Sequence, residues 1–456
     1  MRHWQIPGSG IGFLPLGWRL DWVKTLCFHL LSSENESYCT TGSDRGERRT
    51  EIGVRSAECG VRSAECGVRE AGSGKREAGS GKREAGNSDT MACMFRLGVW
   101  VVLLGVLTSM GQAQWTPTVL NSQGYYYVHG NGISSSGAVG YGMVDDQTVH
   151  ALYWSSGTSN YVDLNPTGSI SSNALASFGG NQYGQALFRV GTQDQGHAVI
   201  WHGSADNFDD LHPGGVWAHT DIRGASANCQ IGTGYGLGPS DGQVLLWHGS
   251  AASMVDLTPD GAVRASGWGT TDISQVGSVD FGNGPHATLW HGTKESAVDL
   301  NPSWCEFSNP TGVSGDQQVG VINFFDQDEN YFIHAALWSG TAESMIDLNP
   351  NGIQQSVALG ISANFQVGYG DGHAMVWFGS AENYFDLHST LAGLPSTFDS
   401  SFATGVDENG DIIGYGTDET GYHAIRWTHV VPEPGTWIAL GIGLTAFCRR
   451  KKLFRN

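Results

Sequence analysis

His334-Ala-Ala-Leu-Trp338-Ser-Gly-Thr-Ala-Glu-Ser-Met-Ile-Asp347-Leu-Asn-Pro-Asn-Gly352 is the stretch that decides the fold. An apolar run ends on Trp338, a glycine turn follows, and a second short run ends on Asp347-Leu348. Asn-Pro-Asn-Gly then stops the ladder, because proline has no N–H to donate and glycine accepts a positive φ. Reading onward, Ser356-Val-Ala-Leu-Gly-Ile361 and Gln366-Val-Gly-Tyr-Gly370 supply two more short strands. Four strands in about 45 residues is the period of a β-propeller blade; a parallel β-solenoid, with shorter rungs, is the competing architecture.

The unit recurs. A tryptophan followed nine residues later by Asp-Leu occurs as Trp154/Asp163, Trp201/Asp210, Trp247/Asp256, Trp290/Asp299, Trp338/Asp347 and Trp377/Asp386, and Trp427 ends the series. Most of these strands open with His-Ala, as in His197-Ala-Val-Ile-Trp201, His286-Ala-Thr-Leu-Trp290 and His373-Ala-Met-Val-Trp377. The tryptophans are expected to pack between neighbouring blades, and the aspartates to cap turns by accepting backbone N–H bonds. A histidine that recurs in nearly every unit reads as architecture rather than as a ligand.

The ends of the repeat region are informative. Val119-Leu-Asn-Ser-Gln-Gly124 and Gly132-Ile-Ser134, shifted by 228 positions, fall without a gap on Asp347-Leu-Asn-Pro-Asn-Gly352 and Gly360-Ile-Ser362. The chain thus enters the repeat at its Asp-Leu strand and leaves it after Trp427. Two half-units that complete one another predict an all-β, seven-bladed β-propeller-like domain over 114–430, closed by its N- and C-terminal half-blades. An open stack would leave two raw sheet edges.

Composition agrees. The chain has 66 Gly, 16 Trp and only 15% charged residues, which suits short strands and tight turns rather than helices. Between 114 and 430 there are 5 Lys+Arg against 31 Asp+Glu. So acidic a domain repels phosphate backbones and argues against nucleic acid as a partner. Of the eight cysteines, only Cys229 and Cys305 lie in this region, and whether they are bridged is left open.

Residues 53–89 hold tandem heptads, GVRSAEC twice and REAGSGK twice with a degraded third copy, and lack the apolar pairs a coiled coil needs. Immediately after comes Met91-Ala-Cys-Met94-Phe-Arg96, then the apolar run Leu97–Leu107, then Gly111-Gln-Ala113. A basic residue, an apolar core and small residues before the cut make a signal peptide over 91–113 with cleavage after Ala113. Because such signals work from an N-terminus, residues 1–90 read as a mispredicted extension, with translation starting at Met91 or Met94. An internal membrane anchor over 97–110 is the other reading, though 11 strongly apolar residues are short for a span.

At the far end, Val431-Pro432-Glu433-Pro434 precedes the apolar segment 435–448 and the basic tail Arg449-Arg-Lys-Lys452. About 14 residues at 1.5 Å each reach roughly 21 Å as a helix, short of a ~30 Å hydrocarbon core. Such a segment suits transient anchoring, with the basic tail held on the cytoplasmic side. These three parts resemble the PEP-CTERM sorting signal (431–456). That resemblance implies an exosortase-type processing enzyme that reads Pro432, Glu433 and Pro434, and a membrane association through 435–448. An ordinary tail anchor is the plainer alternative. The His-Ala-x-x-Trp strand, the Asp-Leu strand and the Gly-Ile…Val-Gly-Tyr pair resemble HAF-type extracellular repeats over about 118–428, with the third strand position variable here. That family implies an extracellular repeat protein and brings no known catalytic site.

No phosphate-binding loop or His-Glu-x-x-His is present. No catalytic, cofactor-binding or metal residue is therefore assigned. Asp326-Gln-Asp-Glu-Asn330 and Asp407-Glu-Asn-Gly-Asp411 faintly suggest Ca²⁺ loops without the full ligand pattern. Tyr125-Tyr-Tyr127 and Phe324-Phe325 stand off the repeat pattern and suit either core packing or contact with a sugar or protein. The expectation is a non-enzymatic surface or matrix protein that binds or scaffolds, with an extracellular polysaccharide or a surface protein as its partner. A secreted carbohydrate-active enzyme, working through paired carboxylates in a central cleft, is the alternative.

Overall fold

The computed structural model describes residues 114–236, 242–363 and 365–430. The low-complexity segment, the signal peptide with Ala113, Pro432–Pro434 and the apolar segment 435–448 lie outside the described residues. Among the described residues, no helix is long and apolar enough to cross a membrane.

Strands dominate, and they fall into four-stranded antiparallel units. Unit 1 is β2 (Tyr126–Ser134), β3 (Gly137–Met143), β4 (Val149–Ser155) and β5 (Tyr161–Asp163). Unit 4 is β15 (Arg264–Thr270), β16 (Gln275–Asp280), β17 (Pro285–Trp290) and β18 (Val298–Asp299). Unit 5 is β19 (Phe307–Ser314), β20 (Gln317–Phe325), β21 (Tyr331–Trp338) and β22 (Ile346–Asp347). Unit 6 is β23 (Ser356–Ser362), β24 (Phe365–Gly370), β25 (His373–Ser380) and β26 (Asn383–Asp386).

A nine-stranded sheet holds units 2 and 3, joined by a single parallel bridge from Gly196 to His219. Unit 2 is β6 (Ser169–Phe178), β7 (Asn181–Val190), β8 (Gln193–Ser204) and β9 (Asn207–Asp210). In unit 3 the first strand is split into β10 (Trp217–Thr220) and β11 (Gly224–Ala225), followed by β12 (Gln230–Gly236), β13 (Gln243–Trp247) and β14 (Val255–Asp256).

Unit 7 uses both ends of the domain. Strands β27 (Ser400–Val406), β28 (Ile412–Asp418) and β29 (Gly421–Val430) are completed by β1 (Gln114–Val119), which pairs antiparallel with β29 from Gln114↔Val430 to Val119↔Ile425. First strands of successive units touch one another in order, β2 to β6, then β11, β15, β19, β23 and β27, and β27 touches β2 again. The arrangement is propeller-like and closes on itself. Thr404 Oγ1 of unit 7 donates to the Gly130 carbonyl of unit 1 at 2.9 Å across that closure.

Three sequence features build each unit. The tryptophan ending each third strand is fully buried in all seven: Trp154, Trp201, Trp247, Trp290, Trp338, Trp377 and Trp427. Each packs in a core shared between adjacent units; Trp338 of unit 5, for example, packs with Val276, Ala287 and Leu289 of unit 4. Second, the glycine of each second strand lies against the first strand. A Cβ at Gly140, Gly184, Gly232, Gly277, Gly320, Gly368 or Gly414 would overlap the carbonyl oxygen of His129, Asn173, Asp221, Ser266, Asn309, Val357 or Phe402. Third, six first strands carry a one-residue register shift, at Asn131, Leu175, Trp268, Thr311, Leu359 and Thr404, which kinks the strand and re-aims that residue. Asn131 and Thr311 then donate to carbonyls of the next unit, Ala174 and Ala358.

Candidate functional site

The repeated aspartates end the fourth strands: Asp163, Asp210, Asp256, Asp299, Asp347 and Asp386. One carboxylate oxygen of each accepts the backbone N–H of a residue two or three further on, at 2.8 to 3.3 Å. In five units the other oxygen reaches back along the sheet face to the histidine four residues before the tryptophan of the third strand. The pairs are His150–Asp163 (2.8 Å), His197–Asp210 (2.7 Å), His286–Asp299 (2.9 Å), His334–Asp347 (2.7 Å) and His373–Asp386 (3.1 Å). Each aspartate lies opposite the residue two after its histidine, so the two side chains are diagonal neighbours on one face. In unit 3, Gln243 takes the place of histidine and donates to Asp256 at 3.0 Å. In unit 7, Val119 occupies the aspartate position, and His423 pairs instead with Asp418 at 3.0 Å.

Two further repeated roles escape a reading of the sequence alone. The glutamine opening the second strand accepts the turn glycine's N–H in five units: Gln182 from Gly203, Gln230 from Gly249, Gln275 from Gly292, Gln318 from Gly340 and Gln366 from Gly379. The Ala N–H of His-Ala donates to a buried hydroxyl of the following unit at 3.0 or 3.1 Å, namely Ser172, Thr220, Ser308, Ser356 or Ser401.

Where the repeat breaks, chemistry collects. The split first strand of unit 3 holds Asp221 and Arg223, both buried and joined at 2.8 Å, with Arg223 lying 4.5 Å from the Trp268 ring centroid of unit 4. Burial opposes the guanidinium charge, but Asp221 and Tyr235 outweigh it and raise the Arg223 pKa. The first strands themselves carry no carboxylate; Asp221 lies in the break between β10 and β11, and Arg223 neutralises it. Where units 7 and 1 meet, His129 stacks on Tyr141 (4.8 Å, 7°) and meets Tyr415 and Tyr422. Tyr125 donates its hydroxyl to Asp163 at 2.7 Å, while Tyr126 and Tyr127 are exposed. Phe324 packs against Trp304 and Phe332, and Phe325 is exposed beside Tyr331.

The two acidic loops are self-satisfied turns. Asp326 accepts the N–H groups of Asp328 and Asn330 and the Asn330 side-chain amide, and these hydrogen bonds lower its pKa. Asp407 accepts the N–H groups of Asn409 and Asp411; its burial raises its pKa in spite of them. Among the described residues, no group of three or more His, Cys, Asp or Glu side chains is arranged to hold a metal ion. Cys229 and Cys305 are both free thiols, buried in different inter-unit cores. Burial pushes the Cys305 thiol up to about 12.

A cleft of ≈ 470 Å³ opens where unit 7 meets unit 1, between β1, β29 and the turns of unit 1, with Asp411 and Arg426 in its wall.

No curated protein matches this chain. Solved structures similar in fold include the β-propeller domain of the Trilobed protease from Pyrococcus furiosus (6% identity, 66% of this chain and 93% of that one, TM-score 0.44). Another is an oligogalacturonate lyase from Vibrio parahaemolyticus (11% identity, 71% and 98%, TM-score 0.43). A third is a puromycin-hydrolysing peptidase from Mycobacterium tuberculosis (14% identity, 67% and 49%, TM-score 0.40), of whose length this chain spans about half. Residues 430–452 match the PEP-CTERM protein-sorting motif, and so include Pro432, Glu433 and Pro434. That motif marks the chain as an exported protein, sorted to the cell envelope through recognition by an exosortase.

Proposed function

We propose that the domain is a seven-bladed β-propeller of HAF-type repeats that binds or scaffolds at the cell surface, without catalysis. Its partner in this reading is an extracellular polysaccharide or a surface protein. The signal peptide 91–113 is removed after Ala113, and the segment 435–448 holds the protein to the membrane until an exosortase acts at the Pro-Glu-Pro motif. The observation that carries the reading is the pairing of Gln114 with Val430. The ring is complete between the two processing sites, so removal of both terminal signals costs the domain no strand. The first strands support binding over hydrolysis, because they carry no carboxylate and Asp221, in the break between β10 and β11, is held by Arg223. A glycosidase needs a pair of carboxyl groups flanking the bond it cleaves.

The test is fractionation of the native cells, followed by co-sedimentation of the protein with the cells' own extracellular polysaccharide. Recovery in the envelope and matrix fractions, with no release of reducing sugar, is the expected result. Recovery in the cytosol would contradict the localisation, and sugar release that depends on named carboxylates would establish the enzymatic alternative.

A further inference from the structure

In six units the residue before the buried tryptophan is Tyr153, Ile200, Leu246, Leu289, Leu337 or Val376, all apolar or aromatic. In unit 7 it is Arg426. The side chain is only 7% exposed. Its Nη2 donates to the Trp154 carbonyl at 3.1 Å and its Nη1 to the Thr158 carbonyl at 3.3 Å, while Nε is buried without a partner. Arg189, Arg223 and Lys294 each pair with an aspartate. Among the described residues, no carboxylate forms an ion pair with Arg426. A buried guanidinium with no carboxylate in contact is costly even with Asp411 nearby, and a leucine there would complete the repeat without that cost.

The cleft of ≈ 470 Å³ lies against this arginine. Its wall carries the hydroxyls of Thr118, Ser156, Ser159 and Thr428, none bonded to another described residue, together with Asp411. Asp411 gives Oδ1 to the His429 N–H and keeps Oδ2. Leu120 and Ile133 add an apolar patch. Hydroxyls that both donate and accept, beside one carboxylate and one guanidinium, match a polyol that bears a single negative charge. Clefts of about 300–1,000 Å³ hold ligands of one or a few rings. A dianionic phosphate is a poorer fit, since a single arginine stands beside Asp411 in a domain with 31 acidic residues.

We infer that this seam cleft binds a uronic acid unit, with the sugar carboxylate on Arg426 and the ring hydroxyls on the serines, threonines and Asp411. The inference rests on the surface-binding reading and gives it a ligand class.

The test is titration calorimetry on the mature protein recovered from cells, with D-galacturonate and D-glucuronate as probes and D-galactose and acetate as controls. The same titrations are run on Arg426→Leu, which installs the residue of units 3, 4 and 5, and on Thr428→Val and Ser159→Ala. One or both uronates should bind, with galactose and acetate at least tenfold weaker. Arg426→Leu should lose at least tenfold in affinity while keeping the wild-type melting temperature or exceeding it. If Arg426→Leu does not fold, the two hydroxyl variants decide, each losing several-fold. Absence of uronate binding, equal binding of galactose, or uronate affinity unchanged in the variants overturns the inference. Each of those results in a protein that still co-sediments with the matrix leaves the surface-binding reading standing; a cytosolic protein that binds uronate would fail the reading and not the cleft.

Discussion

Arg426 in the last strand and the Trp154 carbonyl in the first unit are joined by a 3.1 Å hydrogen bond across 272 residues of sequence. It crosses the seam between units 7 and 1. Trp115, on β1, ties the N-terminal strand into unit 7. It is 2% exposed, stacks on His429 (4.9 Å, 29°) and donates its indole N–H to the Gly410 carbonyl at 2.9 Å. Trp115→Ala should cost about 3–5 kcal/mol, as for other buried aromatic truncations. Deleting 114–120 should bare the β29 edge and make unit 7 the first site of limited proteolysis. A deletion variant with wild-type melting and digestion would show that the closing strand is dispensable.

The second-strand glycines have a steric role that a pairwise comparison isolates. Gly368→Ala drives a methyl into the Val357 carbonyl, whereas a Cβ at Gly393 meets nothing within 4 Å. Overpacking of this kind costs about 1–3 kcal/mol or more. Gly393→Ala should be neutral or slightly stabilising. Urea unfolding of the two variants checks the difference; equal midpoints would remove the glycine's role.

The histidine–aspartate pairs divide unequally. Asp347 accepts from both His334 and the Asn349 N–H. Asp347→Ala should therefore cost about 1–3 kcal/mol. His334→Gln should cost under about 1 kcal/mol, because Gln243 already makes that contact with Asp256 in unit 3. Chemical denaturation measures both, and a larger loss for His334→Gln would contradict the architectural role.

Acid sensitivity should arise in unit 2. His212 stacks on His197 at 4.2 Å and shares Asp210 with it. Burial first, and then the charge of His197, lowers its pKa from 6.5 to about 4, against an opposing pull from Asp210; His219 adds to the lowering. A folded pKa below the unfolded one means that the unfolded chain binds the proton more readily. The stability contributed is then fully present above pH 6.5 and is lost as pH falls toward about 4. His388, stacked on His373 in unit 6, is shifted in the same direction. His212→Asn places the residue found at 165, 301 and 349 and should flatten the melting temperature between pH 7 and 4. An unchanged pH profile would sink this assignment.

The repeat was legible because its strongest signals, a fully buried Trp and an Asp at fixed spacing, sit at strand ends where register is rigid. The half-unit at Val119 was legible by alignment with Asp347, and β1 takes the fourth-strand place in unit 7. What stayed hidden depends on contacts between units. Gln275-Val-Gly277 was visible as a strand, but not the turn that Gln275 caps 17 residues on. The serine that receives the Ala335 N–H is 21 residues away in the next unit. Arg426 escaped notice because a single cation before Trp427 carries no pattern until six apolar residues are superposed on it. The Asp221–Arg223 pair was likewise invisible, since it occurs in one unit alone, between β10 and β11, and carries no repeat pattern.

Intact-mass analysis of the mature protein from its native cells is the most direct test of the central claim, that a closed ring is released between two processing sites. One species beginning at Gln114 and ending close to Pro432–Pro434 is the predicted result. A mass that retains residues before Ala113 together with the whole segment 435–448 would contradict it.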